Sequence, residues 1–263
     1  MTTLPVDDFG HAMARPAVNT IDGHDLSMAL RRGVDDFLAM PTHALFIGLI
    51  YPLVGVVLAT VAFGLEILPL VFPLAAGFAL IGPFAAIGLY ELSRRREQGL
   101  STEWALAFAN LTRPAAGALA GMGMLLTAIF VSWLVAAQGL YWALYGDAEP
   151  ASLLDFARDV FLTPRGWALI IVGNLTGFAF SLVVLAISVV SVPMLVDRNI
   201  DLATAIETSL AAFRRNPRIL TAWGFIVVGL LVLGSLPLFV GLAVVMPILG
   251  HATWHLYRRV VPA

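Results

Sequence analysis

Apolar residues along this chain gather into six long stretches, at about 43–65, 67–92, 115–143, 165–196, 218–236 and 238–257. Each is close to or above the roughly 20 residues a helix needs to cross the hydrocarbon core of a bilayer. The second and fourth are long enough to tilt or to run on past the membrane. Only a short turn around Glu66–Pro69 separates the first two stretches, and only Ser235–Pro237 separates the last two. Both pairs are therefore predicted to form helical hairpins.

Ahead of the odd-numbered stretches the pattern turns amphipathic. Asp25–Leu30 leads to Phe37 and Pro41, and Asp201–Ile206 leads to Phe213 and Pro217 with the same spacing. Leu100–Leu106 leads to Pro114 in a shorter version. Asp25, Ser101 and Asp201 are the predicted N-caps, and Leu26, Ala29, Leu30, Phe37 and Leu38 share one helical face. Basic amphipathic helices of this kind fit the membrane interface. The proline that follows ends each helix and permits a bend into the next stretch. One reading is a unit of interfacial helix, proline and hairpin repeated three times; the other is three independent loop-to-membrane transitions. The even-numbered stretches each hold an interior proline, Pro83, Pro193 and Pro247, expected to free a backbone carbonyl and kink the helix. Broken helices within repeats point to transporter sites, and kinks also arise from packing alone.

Composition removes a water-soluble alternative. Hydrophobic residues make up 60% of the 263 positions and charged ones 12%, against about 45–50% and about 25% in ordinary soluble domains. So few charges could not cover that much apolar surface. The fold class expected is all-α, a polytopic membrane protein of six transmembrane helices arranged as three hairpins with cytoplasmic interfacial helices. Residues 1–24 are expected to be a disordered cytoplasmic terminus and 25–263 a single membrane domain.

Charge placement then orients the spans. All 15 basic residues are arginine. Arg15, Arg31 and Arg32 precede the first span; Arg94, Arg95, Arg96 and Arg113 lie between the second and third. Arg198, Arg214, Arg215 and Arg218 lie between the fourth and fifth, and Arg258 and Arg259 close the last. Only Arg158 and Arg165 fall on the other side, which places both termini in the cytoplasm. The Ala- and Arg-rich, Lys- and Cys-free composition points to a bacterial inner membrane. Arg94, Arg95, Arg96, Arg214, Arg215, Arg258 and Arg259 are candidate contacts for anionic lipid. A net charge of −2 gives no sign of nucleic-acid binding.

Candidate chemistry is sparse. With no cysteine, thiol catalysis, disulfides and iron–sulfur clusters are excluded. His251 and His255 are spaced i, i+4, suited to a metal or, with a partner, a haem; their neighbours Trp254, Tyr257, Arg258 and Arg259 equally suit an interfacial belt. Glu91 lies one turn from Arg94 and Arg95 and can pair with them. Gly117 and Gly121, and Gly173 and Gly177, are small-residue patches for helix packing, each with its own partner helix. No phosphate-binding loop, nucleophile elbow or zinc-protease motif occurs, and no cofactor is expected.

The strings Gly82–Arg95 and Ser191–Arg198, the run Ala205–Pro217 and the terminal Pro247–Arg258 resemble a bacterial family of integral membrane proteins, domain-of-unknown-function family 2189. Some members carry a cytochrome c oxidase label. The resemblance implies a membrane protein with no assigned site. A haem–copper catalytic subunit needs about six histidine ligands within its helices; this chain has five histidines, and His11 and His24 precede the first span. Three roles therefore stand at this point: a non-enzymatic scaffold or accessory subunit, with a respiratory complex among the partners to consider; a transporter or lipid-handling protein; and a haem or metal carrier.

Overall fold

The computed structural model describes residues 16–40, 86–103, 105–107, 116–146, 152–237 and 240–262, with isolated positions 73 and 82. The two first stretches expected to span, 43–65 and most of 67–92, lie outside the described residues, as do Pro83, Arg113 and Pro114.

Among the described residues the chain is helical, with no strand. The α-helices are α1 (Gly23–Ala39), α2 (Ile87–Glu97), α3 (Ala116–Tyr145), α4 (Leu153–Leu162), α5 (Pro164–Ser188), α6 (Ser191–Asp197), α7 (Leu202–Arg215), α8 (Pro217–Ser235) and α9 (Leu242–Val260). Among the described residues three helical stretches, Ala116–Tyr145, Pro164–Asp197 and Pro217–Ser235, are long and apolar enough to cross a membrane. They leave large apolar side chains exposed, among them Val135 on α3, Leu175 on α5 and Val232 on α8. The α9 helix is not one of the three, because Pro247, two histidines and two arginines dilute its apolar content.

Local chemistry accounts for the helix ends. The start of α1 is a capping box: the Asp22 side chain accepts from the Asp25 backbone and the Asp25 side chain accepts from the Asp22 N–H. Asp25 is therefore the third helical residue rather than the cap that its spacing suggested. Asp201 does cap α7, accepting from Thr204 N at 2.9 Å. Ser101 caps no α-helix among the described residues; a 3₁₀ turn at 105–107 follows it. The α2 helix ends in a Schellman motif, with Leu100 N bonded to Arg95 O, Gly99 N to Arg96 O, and Gly99 at φ +67°. Pro217 opens α8 directly after the Asn216 cap of α7, where its missing N–H costs nothing.

The stretch Pro164–Asp197 is interrupted at Val189–Val190, just before Pro193, which cannot donate to the Val189 carbonyl. Ser209 of α7 repairs the gap. Its hydroxyl donates to Ala186 O at 2.8 Å and accepts from Val190 N at 3.3 Å, replacing the helical bond those two groups would have made.

Packing concentrates at one end of the bundle. The α1 helix packs most extensively on α9, and α9 in turn on α2 and α8. Gly33 allows the closest approach: a Cβ there would lie 2.7 Å from Ala252 N, Ala252 Cβ and Ile248 O. Tyr90, Met122, Met194, Leu195, Leu220, Trp223, Trp254 and Tyr257 fill the core. The whole apolar run of α6 is buried within it.

Candidate functional site

Three helices bring five polar side chains together where α1, α2 and α9 meet. Asp36 comes from α1, Ser93 and Arg96 from α2, and His251 and His255 from α9. Ser93 Oγ donates to Asp36 Oδ2 at 2.6 Å and lies 2.7 Å from His251 Nδ1. His255 Nε2 lies 2.8 Å from the same Asp36 oxygen, and Arg96 pairs with Asp36 Oδ1.

Proton accounting fixes the roles. Three short contacts among Ser93, Asp36 and the two rings require three protons. Ser93 supplies one, and each ring nitrogen in contact supplies one. His251 Nδ1–H is thereby assigned as the donor to Ser93, and His255 Nε2–H as the donor to Asp36. Asp36 is ionised and paired with Arg96. Burial alone would raise the Asp36 carboxyl, but the hydrogen bonds from His255 and Ser93 and the field of both rings outweigh it, holding it below the usual aspartate value.

This arrangement is not a nucleophile–base–acid relay. The serine hydroxyl gives its proton to the carboxylate itself, and Ser93 and His251 are fully buried. A cavity of about 630 Å³ is lined by Arg32 and by Asp36, Arg96 and His255 of the cluster, while Ser93 and His251 lie behind them. The other ring nitrogens, His251 Nε2 and His255 Nδ1, are buried without a hydrogen-bond partner among the described residues. No group of three or more His, Asp or Glu side chains among those residues is placed to hold a metal ion.

A second layer ties α9 down further. Trp254 Nε1 and Arg258 Nε both donate to Glu97, at 3.1 and 3.2 Å. Tyr257 donates to Asp197 at 2.7 Å, and Arg258 reaches the same oxygen. The residues that suggested an interfacial belt are thus largely core: Trp254 and Tyr257 are fully buried.

The other residues singled out in the sequence fall elsewhere. Arg94 and Arg95 pair with the buried Glu91, as their spacing predicts. Arg96 is spent on Asp36 and Arg259 on Asp25. Arg214 and Arg215 are exposed and have no carboxylate partner among the described residues. Gly121 meets Leu202 of α7, Gly173 and Gly177 meet Leu140 and Trp133 of α3, and Gly117 faces open space. Pro193 follows the α5–α6 break, and Pro247 lies inside α9.

Sequence reasoning found the two histidines and missed Asp36 and Ser93. Asp36 is 219 positions from His255. The available signal was a carboxylate on the otherwise apolar face of α1, one helical turn after Gly33.

Residues 71–197 match the family described as predicted integral membrane protein (DUF2189), and over that segment the chain is similar to it. The matched segment holds Ser93 and Arg96 and stops short of Ala205–Pro217 and the terminal helix, to which the sequence resemblance had extended. No curated protein and no solved structure matches the chain.

Proposed function

We propose that this integral membrane protein is a six-span, non-enzymatic scaffold or accessory subunit of a bacterial inner-membrane complex, with both termini in the cytoplasm. The observation that carries the reading is the Asp36–Ser93–His251–His255–Arg96 cluster. Its short contacts are made within itself and its serine is shut away from solvent, which suits a polar lock between the terminal helices better than a reaction centre.

The topology draws support from which chain ends meet. Asn19 N donates to Val260 O at 2.8 Å, and Asn216 holds Ile21 N and Asn19 O. Glu97 and Asp197 both bind Arg258. Residues 19–21, 97, 197, 216 and 258–260 therefore sit at one end of the bundle. Between residues 97 and 197, and again between 216 and 258, the chain leaves that end and returns to it. That is the pattern of hairpins, with α3 and α5 as one and α8 and α9 as another. A helix of 19 residues such as α8 or α9 is about 28 Å long, enough for one crossing.

A transport site would be favoured if the backbone groups freed at the Val189–Val190 break faced a cavity; Ser209 occupies two of them, Val190 N and Ala186 O. Extraction in mild detergent followed by mass spectrometry tests the proposal. A membrane partner should be recovered in fixed proportion; a chain recovered alone and monodisperse across several detergents would count against it.

A further inference from the structure

At the end of the bundle where the termini meet, a cavity of about 430 Å³ is lined by Asn19, Thr20, Asp25, Arg215, Arg258 and Arg259. Three guanidinium groups face one carboxylate. Arg259 is held by Asp25 through Nε and Nη2, both reaching Oδ1, the Nε at 2.7 Å. Arg258 is balanced by Glu97 and Asp197 outside the cavity. Among the described residues Arg215 has no carboxylate partner: its Nε donates to the Thr20 hydroxyl at 2.9 Å, which fixes the side chain at the rim and leaves its terminal nitrogens unspent by those residues. Arg198, also at this end, is engaged by Asp197 and the Pro262 carbonyl.

The cavity wall is itself rigidly built. Asn216 clamps Asn19 and Ile21 by side-chain hydrogen bonds of 2.9 Å each, and the Asn19 amide donates to the Arg259 carbonyl. The Asp25 carboxyl, although partly desolvated, is held below its usual range by the Asp22 N–H and Arg259. It stays ionised and keeps Arg259 in place. The result, among the described residues, is a polar concavity with one uncompensated positive charge, a fork of free guanidinium donors and a hydroxyl beside it. Planar, bidentate donors of this kind match phosphate oxygens.

We infer that this cavity binds a phosphate group, with Arg215 as the cationic contact and Arg259, anchored on Asp25, as the wall beside it. The two sources are the head group of an anionic phospholipid and free phosphate. The lipid source rests on the proposed topology, which puts this end at the cytoplasmic leaflet; the free-phosphate source does not. Among the seven arginines that the sequence marks for anionic lipid, the structure narrows the site to Arg215, Arg258 and Arg259 around this cavity and sets aside Arg94, Arg95, Arg96 and Arg214, which do not line it.

The test uses the full chain, purified in detergent and titrated with inorganic phosphate, and in parallel placed in nanodiscs of phosphatidylcholine with and without phosphatidylglycerol and assayed for bound anionic lipid. Arg215→Gln should weaken binding about fivefold in whichever arm binds, the factor expected for one interfacial arginine. Thr20→Val, which frees Arg215 without removing it, should give a smaller loss in the same arm. Arg214→Gln, the exposed neighbour outside the cavity, should leave it unchanged. Binding in the detergent arm assigns free phosphate; binding in the nanodisc arm alone assigns the lipid. If neither arm binds, or if Arg214→Gln weakens binding as much as Arg215→Gln, the cavity is not the site and the inference fails. Either failure leaves the partner-recovery test of the scaffold reading untouched.

Discussion

Replacing Asp36 by asparagine removes one charge from the polar lock while keeping its volume. In the native protein Oδ2 receives both Ser93 and His255, and Oδ1 receives Arg96. Hydrogen bonds to an ionised acceptor contribute about 1.5–3 kcal/mol against about 0.5–1.5 for neutral pairs, so each of the first two bonds should lose about 1 kcal/mol. The amide NH₂ would then face Arg96, donor against donor. Because the Arg96 side chain is 43% exposed it recovers hydration, and that contact adds less than about 1 kcal/mol. The sum is a destabilisation of about 2–3 kcal/mol. Asp35→Asn is the matched control, since Asp35 is exposed on the same helix, and it should change stability by no more than about 0.5 kcal/mol. Denaturant unfolding of the two variants in one detergent, followed by tryptophan fluorescence, measures the difference; Trp254 lies within the packed end. If Asp36→Asn were no less stable than Asp35→Asn, the cluster would not be holding the terminal helices, and the reasoning built on it would be refuted.

Other outcomes follow from the same contacts. Asp36 is held below its ordinary value of 3.8, so the stability it provides is complete above about pH 4 and is lost as pH falls through its lower folded value; a melting series from pH 7 to 3 should drop at the acid end, and less so in Asp36→Asn. Gly33→Ala should cost about 1–3 kcal/mol, because the new methyl meets backbone atoms of α9, whereas Gly23→Ala, with open space around it, should be close to neutral in the same unfolding assay. Ser209→Ala strands Val190 N and Ala186 O across the helix break and should destabilise by about 1–3 kcal/mol, a loss that thermal melting would register. Asn216→Ala should release the terminal strap, seen as faster hydrogen exchange at the Ile21 amide with little change at Leu195.

Hydropathy along the chain located the helices well because bilayer-length apolar runs leave few alternatives. The runs 115–143, 165–196 and 218–236 correspond to α3, to α5 with α6, and to α8, with ends within a few residues. Prolines marked real discontinuities, Pro217 opening a helix and Pro193 following a break. Capping was read one turn late at α1, since Asp22 and Asp25 are both good caps and only the backbone shows which comes first. Of the stretch 1–24 expected to be disordered, residues 1–15 lie outside the described residues, while 19–22 are hydrogen-bonded to Asn216, Val260 and the start of α1. The polar cluster was half legible. The i, i+4 histidines stand out on α9, but their partners come from α1 and α2, and only the packing of the terminal helices through Gly33 brings them within reach. Arginine counts show where basic residues gather along the chain but not which guanidinium groups are already paired, a distinction that depends on Glu91, Glu97, Asp25, Asp36 and Asp197 meeting them in space.

The native chain has no cysteine, so single substitutions give unambiguous reporters of sidedness. Gln98→Cys and Asn199→Cys lie in exposed turns at the end of the bundle where the termini meet, and Leu154→Cys and Leu236→Cys lie exposed at the other end. Treating intact cells with a membrane-impermeant maleimide should label the second pair and spare the first until the membrane is opened. Labelling of one member from each pair on the same side, or of Gln98→Cys in intact cells, would contradict a bundle of hairpins with both termini inside.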